Sequence, residues 1–352
     1  MARRDDLRGL LAYLRGDMPA APDWTGVIAL ANKALCSPAL AARLIESGQF
    51  SLLPTDVRTF LKDIHRRNKE RNRRLLAQLD EAAAILNAID VRPILLKGTA
   101  WLAAAEPTRR AARLLADIDL MVAPQHFFAV IDQLARIGYT LDHQALRTDV
   151  PVVLSRAQDA ATIDLHSEYG SSGTVFYDHH RLTAGGTTVD LPGSRVNLPS
   201  SVDSIAILLL HDQLKGRDYL RGRIDLRHLL DIQDFAESFG DEEWRELDRL
   251  FANPYARDAM RTQLLTARNL LGIDIPGWLV RGMRARIQYG RRLFQLRWPQ
   301  TAAALTLLSM LDPAYLSARR AFRRAKAKEA GRFLPRRTSM ERLLVRNELG
   351  KI

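Results

Sequence analysis

Along the first 89 residues the apolar positions recur at helical spacing. They run through LRGLLAYLR, then VIALANKALCSPALAARLIESG ending at Gly48, then a long stretch from Pro54 in which Leu75, Leu79, Ala82, Ala83 and Leu86 share one face. This spacing predicts a helical leader. At Val91 the period changes. VRPILLKG is a short apolar run closed by glycine, as a buried strand would be, and TAWLAAAE after it reads as a helix with Thr99 placed to cap it. ARLLADIDLMV reads as the next strand, Pro124 opens a helix through QHFFAVIDQLARIG, and Gly138 closes that helix. VPVVLSRAQ and ATIDLHSEY are two further strands, the second alternating Ile163 and Leu165 on one face with Asp164, His166 and Glu168 on the other. A loop-rich stretch with a hairpin turning at Pro192–Gly193 follows, and SVDSIAILLLHDQLK, IDLRHLLDIQDFAESFG and EEWRELDRLF return to the helical period. The pattern predicts an α+β protein: a helical segment over 1–89, a small α/β core over 90–200, and a helical domain over 201–352 with a basic tail.

Composition narrows the class without naming a function. With 47% hydrophobic and 26% charged residues the chain has the make-up of a globular protein. The N-terminal residues mix acids and bases too closely for a signal peptide, and no apolar run reaches the length of a membrane helix, so a cytoplasmic protein without membrane insertion is expected. A single cysteine, Cys36, excludes an internal disulfide and a cysteine-based zinc site. The net charge is +12, but from Gly277 onward there are 18 Lys and Arg against 4 Asp and Glu, and the remainder is almost neutral. Segments such as RARIQYGRRLFQLRW and ARRAFRRAKAKEAGRFLPRR, the second with Arg319, Arg320, Arg323 and Arg324, suit either a solvated face or a polyanion such as RNA.

The candidate chemistry lies in the central segment. In a strand, residues i and i+2 point the same way, so Asp117 and Asp119 project side by side while Ile118, Leu120 and Val122 take the opposite face. Paired carboxylates among apolar neighbours need a cation, and Mg²⁺ (or Mn²⁺) is the natural occupant. Asp164 supplies a third carboxylate by the same alternation. Upstream, Lys97, Gly98 and Thr99 end a strand and open a helix, where outward amides and a close-approach glycine suit phosphate groups, and Lys97 and Arg113 add positive charge. His166 shares the face of Asp164 and can support a carboxylate. His211 and Lys215, one helical turn apart, either line a cleft or pack as an ordinary pair. Each feature alone is common; in order on strand, turn, helix and strand they constrain one another.

These residues also carry a resemblance. A glycine at a helix start, Asp-x-Asp on the next strand and one Asp on a later strand resemble the nucleotidyltransferase core of the DNA polymerase β superfamily. More narrowly, LLKGTAWL, Arg113 four residues before Asp117 in RLLADIDLMV, Gly138–Tyr139, IDLHSEY, ILLLHDQLK and LRHLLDIQDF resemble an uncharacterised bacterial nucleotidyltransferase branch over roughly residues 75–235. Two departures stand out: Thr99 replaces the usual serine, and Ser167 the usual aromatic residue after Asp-Leu-His. The resemblance implies a small mixed-sheet core and metal-dependent transfer of a nucleoside monophosphate from an NTP to a hydroxyl or phosphate. It implies Asp117, Asp119 and Asp164 as metal and catalytic ligands, with Lys97, Gly98, Thr99 and Arg113 on the nucleotide. The acceptor it implies is a small molecule or a peptide, as in peptide tailoring. A tRNA-modifying enzyme and a catalytically degenerate nucleotide-binding regulatory module remain alternatives.

Overall fold

A computed structural model describes residues 4–19, 23–141, 151–170, 176–320 and 350–352. Helices α1 (Arg4–Arg15), α2 (Trp24–Lys33), α3 (Ser37–Glu46) and α4 (Thr55–Asn87) precede the first strand. The central part holds β1 (Ile94–Leu95), α5 (Lys97–Ala104), β2 (Asp117–Met121), α6 (Phe127–Arg136), β3 (Thr140–Leu141), β4 (Val152–Ser155) and β5 (Thr162–His166). It continues with β6 (Tyr169–Gly170), β7 (Phe176–Tyr177), α7 (His179–Ala184), β8 (Thr187–Asp190) and β9 (Arg195–Leu198). Then come α8 (Ser201–Leu209), a π-helical turn (Leu210–Lys215), α9 (Asp218–Arg221), α10 (Leu226–Phe235), α11 (Asp241–Leu250), α12 (Pro254–Leu271), α13 (Met283–Arg297) and α14 (Ala302–Ser309). The chain therefore has a mixed α+β fold, a central mixed sheet preceded and followed by helical segments. Among the described residues no helix is long and apolar enough to cross a membrane.

The chain forms two compact units. One comprises Cys36–Tyr169 with Tyr177–Ile207, and the other Met1–Leu35, Gly170–Phe176 and Leu208–Ile352. The first contains a seven-stranded sheet in the order β3-β4-β5-β2-β1-β9-β8. At its centre β2 and β5 run parallel, while β1 meets β2 antiparallel and β9 parallel. Ile118, Leu120, Ile163 and Leu165 of the two parallel strands are essentially fully buried on one face. Each contributes roughly 1.5–3 kcal/mol of transfer free energy, so the opposite face can carry carboxylates at tolerable cost. The hairpin expected at Pro192–Gly193 forms, with Leu191 N–H donating to Ser194 O at 2.8 Å between β8 and β9.

The 33-residue α4 braces this unit through a stripe of polar side chains interleaved with Leu75, Leu79, Ala82, Ala83 and Leu86. Asn68 and Asn72 donate to the Arg113 carbonyl at 3.0 and 2.8 Å, and Gln78 donates to Ala161 O at 2.8 Å. Asp80 accepts from Ser194 Oγ at 2.7 Å, and Asn87 accepts from Arg195 N–H at 2.6 Å. These bonds satisfy backbone groups of loops and strand ends that would otherwise be buried unpaired.

In the other unit the basic surplus is partly internal. Arg292 on α13 is buried and donates to Gln263 Oε1 at 2.7 Å and Thr266 Oγ1 at 2.9 Å. Arg284 lies 3.5 Å from Asp258 and 3.3 Å from Asp312. Of the arginines in the ARRAFRR run, Arg319 and Arg320 are among the described residues, whereas Arg323, Arg324 and most of the amphipathic pattern lie outside them.

Candidate functional site

The parallel pairing of β2 with β5 sets Asp119 directly opposite Asp164 and Asp117 opposite Thr162. Paired residues on neighbouring parallel strands project to the same face, so all three carboxylates share it. Crowding and burial raise two of them. The Asp164 carboxyl is pushed up to about 7 by burial and then by the charges of Asp119 and Asp117. Asp117 is raised by burial and by Asp119, against the opposing pull of Lys97 and Arg113.

Asp119 behaves differently. Burial works against its ionisation, but the Lys97 ammonium and His166 outweigh that and hold it well below the usual carboxylate range. Lys97 Nζ lies 2.6 Å and His166 Nε2 3.2 Å from the same oxygen, Oδ1. Burial opposes the charge on Lys97 too, and Asp119 more than compensates, so its ammonium is held charged. Tyr169, near the end of the same unit, has its ring 5.4 Å from His166 and its centroid 5.7 Å from Lys97 Nζ, forming an aromatic wall beside the pair.

The backbone explains how Lys97 reaches across. Its φ is +51°, the left-handed region that costs a non-glycine residue about 1–3 kcal/mol and that persists where surrounding contacts enforce it. α5 begins at Lys97, with Leu96 as a cap that makes no side-chain bond, so Thr99 is already inside the first turn. Instead of capping the helix, Thr99 Oγ1 accepts from the Asp119 backbone N–H at 2.9 Å and locks α5 to β2. Gly98 also has a second reason to be glycine. A Cβ there would collide with the Arg113 guanidinium, which packs against its Cα while Arg113 Nη1 donates to Leu114 O at 3.2 Å. The structure thus brings Lys97, Gly98, Thr99, Arg113, Asp117, Asp119, Asp164 and His166 into one compact unit.

His211 and Lys215 belong to the other unit, on the π-helical turn, where Gly216 N–H donates to His211 O at 2.7 Å. The i+5 closure replaces the α-helical spacing expected of this pair. A Cβ at Gly216 would lie 2.8 Å from the Asp212 carbonyl oxygen, so the turn depends on glycine. His211 instead faces Asp212, and with His228 of α10 these residues form a group whose ligand atoms all lie within 4.8 Å of one another, compatible with a divalent metal. Sequence reasoning passed over Asp212, Asp218, Asp225, His228 and Lys351, which converge here. It also passed over Asn68 and Asn72, whose i, i+4 spacing on the apolar stripe of α4 was the available signal.

Among solved structures the chain is similar to the antibiotic-resistance factor ANT(2'')-Ia in solution, with 13% identity and a TM-score of 0.37 over 55% of this chain and 95% of that one. The same factor in complex with adenylyl-2''-tobramycin gives 14% and 0.37 over 49% and 94%. The lincosamide antibiotic adenylyltransferase LnuA with lincomycin bound gives 17% and 0.32 over 48% and 97%. At these identities and TM-scores no property of those proteins passes to this chain. None of the curated proteins matches it. The profile described as uncharacterised nucleotidyltransferase matches residues 20–272, and the chain belongs to that family of the polymerase β nucleotidyltransferase superfamily.

Proposed function

We propose that the chain transfers a nucleoside monophosphate from an NTP to a hydroxyl or phosphate of a small-molecule or peptide acceptor. The observation that carries this reading is the register of β2 on β5, which sets Asp117, Asp119 and Asp164 on one face beside the first turn of α5. The donor set is all carboxylate oxygen, and Asp164 and Asp117 are raised by mutual repulsion and burial, so a hard divalent cation both fits and relieves the site. Asp117 and Asp119 would hold Mg²⁺ or Mn²⁺, with Asp164 completing a second position. The chemistry supplied by such ions is charge neutralisation and Lewis acidity toward the α-phosphate.

The chain's own groups do the rest. Asp164 accepts the proton of the acceptor hydroxyl as the acceptor oxygen bonds to the α-phosphorus and the bond to pyrophosphate breaks. The α5 amides, Lys97 and Arg113 neutralise the phosphates, and His166 orients Asp119 by its hydrogen bond. A small acceptor is favoured over RNA because Arg292, in the basic segment, is buried and hydrogen-bonded within its own unit, so part of the surplus is not presented to a polyanion.

The test is calorimetry and pyrophosphate release. NTP binding should collapse in chelator and in Asp117→Asn with Asp119→Asn, whereas Asp164→Asn should keep most NTP affinity and lose transfer. Equal NTP binding without metal would overturn the site. Binding to total tRNA that weakens steeply with salt would move the acceptor to RNA. Metal-dependent binding with no release from any NTP and acceptor fraction would leave a regulatory nucleotide-binding module.

A further inference from the structure

The cluster on the π-helical turn differs in chemistry from the three carboxylates on the sheet. Asp212 is 1% exposed, and each of its oxygens meets an imidazole: His211 Nδ1 lies 3.1 Å from Oδ1, and His228 Nδ1 is hydrogen-bonded to Oδ2. The two rings sit edge to face at 5.7 Å. Two imidazole nitrogens and one carboxylate make the donor set of a zinc-type ion rather than of Mg²⁺.

The surroundings are built as such a site requires. Asp225 caps α10 by accepting from Arg227 N–H at 2.9 Å, and its carboxylate lies 3.9 Å from His228 Nδ1, so it fixes the helix that presents that ring. Lys351 Nζ lies 3.0 Å from Asp212, 2.8 Å from Asp218 and 3.0 Å from Asp225. It is held there by main-chain bonds in both directions between Ile224 and Ile352, at 3.0 and 2.9 Å. Three buried carboxylates thus face Lys351 and Arg227, and Lys351 alone touches all three. Because Lys351 also grips Asp218 and Asp225, it can yield Asp212 without losing its ion pairs. A π-turn at the ligand-bearing position is a device that recurs at functional sites.

We propose that His211, Asp212 and His228 form a transition-metal site for Zn²⁺ or a similar ion, with the Lys351 ammonium competing for the Asp212 carboxylate. This site does not depend on the nucleotidyltransferase reading, since none of its ligands belongs to the sheet.

The experiment uses the full chain, stripped with chelator, and Co²⁺ and Zn²⁺ alone as probes. One equivalent of Co²⁺ should give a visible absorption band, retained in Asp117→Asn with Asp119→Asn and lost in His228→Gln and in the half-exposed His211→Asn. Lys351→Met should bind roughly tenfold more tightly, because a competing positive charge is gone. Zn²⁺ should also raise its melting temperature more than that of the wild type, replacing the missing cation. The proposal is overturned if neither the wild type nor Lys351→Met binds a stoichiometric ion, if binding survives both histidine changes, if it vanishes with the sheet carboxylates, or if Lys351→Met neither binds more tightly nor gains more from Zn²⁺.

Discussion

Replacing Lys97 with methionine removes the ammonium from Asp119 while keeping most of the stem that packs at the start of α5. The carboxylate left behind has a side chain only 3% exposed, and Lys97 itself is 11% exposed, so solvent does little to screen the loss. Stranding one partner of a buried pair costs about 3–5 kcal/mol. The left-handed backbone at Lys97, no longer held by the ion pair, relaxes and returns a fraction of that. Urea unfolding of the sheet unit, followed by hydrogen exchange of the β2 and β5 amides, should show the loss there. Adding Asp119→Asn to Lys97→Met should recover much of it, because the stranded charge is then gone.

The pH response gives a second reading of the same variant. In the wild type Asp119 is depressed below its ordinary value of 3.8, so its contribution is present above that pH and is lost as the pH falls. In Lys97→Met only His166 still opposes burial, so the folded carboxyl moves up toward its unfolded value and its contribution on the acid side shrinks. The variant should therefore gain distinctly less stability than the wild type as the pH rises on the acid side. A loss under about 1 kcal/mol, or the same slope in both, would refute the assignment of Lys97 as the counter-charge of Asp119.

Gly98→Ala should destabilise the sheet unit by about 1–3 kcal/mol through overpacking against the Arg113 guanidinium, and by distinctly less in an Arg113→Ala background; equal penalties in the two backgrounds, read as denaturant midpoints, would remove that contact as the cause. Asp164, raised to about 7, must give up its proton to bind a metal, so Mg²⁺ affinity should climb with pH through about 7 and then level. Calorimetry in buffers of different ionisation enthalpy should find close to one proton released per ion below that pH, and an affinity that is flat across it would remove Asp164 from the metal site.

The elements that sequence periodicity revealed were those with a strong alternation: Ile163 and Leu165 against Asp164 and His166, and the Asp117–Asp119 pair against Ile118 and Leu120, all sit as the pleat dictates. What escaped was decided by contacts remote in sequence. Thr99 was placed as a cap by local preference, but the helix begins two residues earlier and its hydroxyl is taken by β2. The π-turn at Leu210–Lys215 has no propensity signature beyond Gly216, so the cluster of His211 and Asp212 with His228, and Lys351 beside it, was not legible. The charge of Lys97 was visible as a candidate for phosphates; its bond to Asp119, made from a backbone of positive φ that no pattern encodes, was not.

The polar braces of α4 also set a timetable for synthesis. The Asn68 and Asn72 amides wait for carbonyls about 40 residues further on, the Gln78 amide for Ala161, 83 residues on, and Asn87 for Arg195, 108 residues on. At roughly 5–20 residues per second the ribosome takes about 5–20 s to deliver that last partner after Asn87 has emerged. Until α5 and α6 have emerged, the stripe of Leu75, Leu79, Ala82, Ala83 and Leu86 is available to whatever apolar surface meets it first. The helix that braces the sheet thus spends this interval without its last partner, and slowing translation beyond Asn87 should lower the yield of folded protein more than slowing it beyond Leu198.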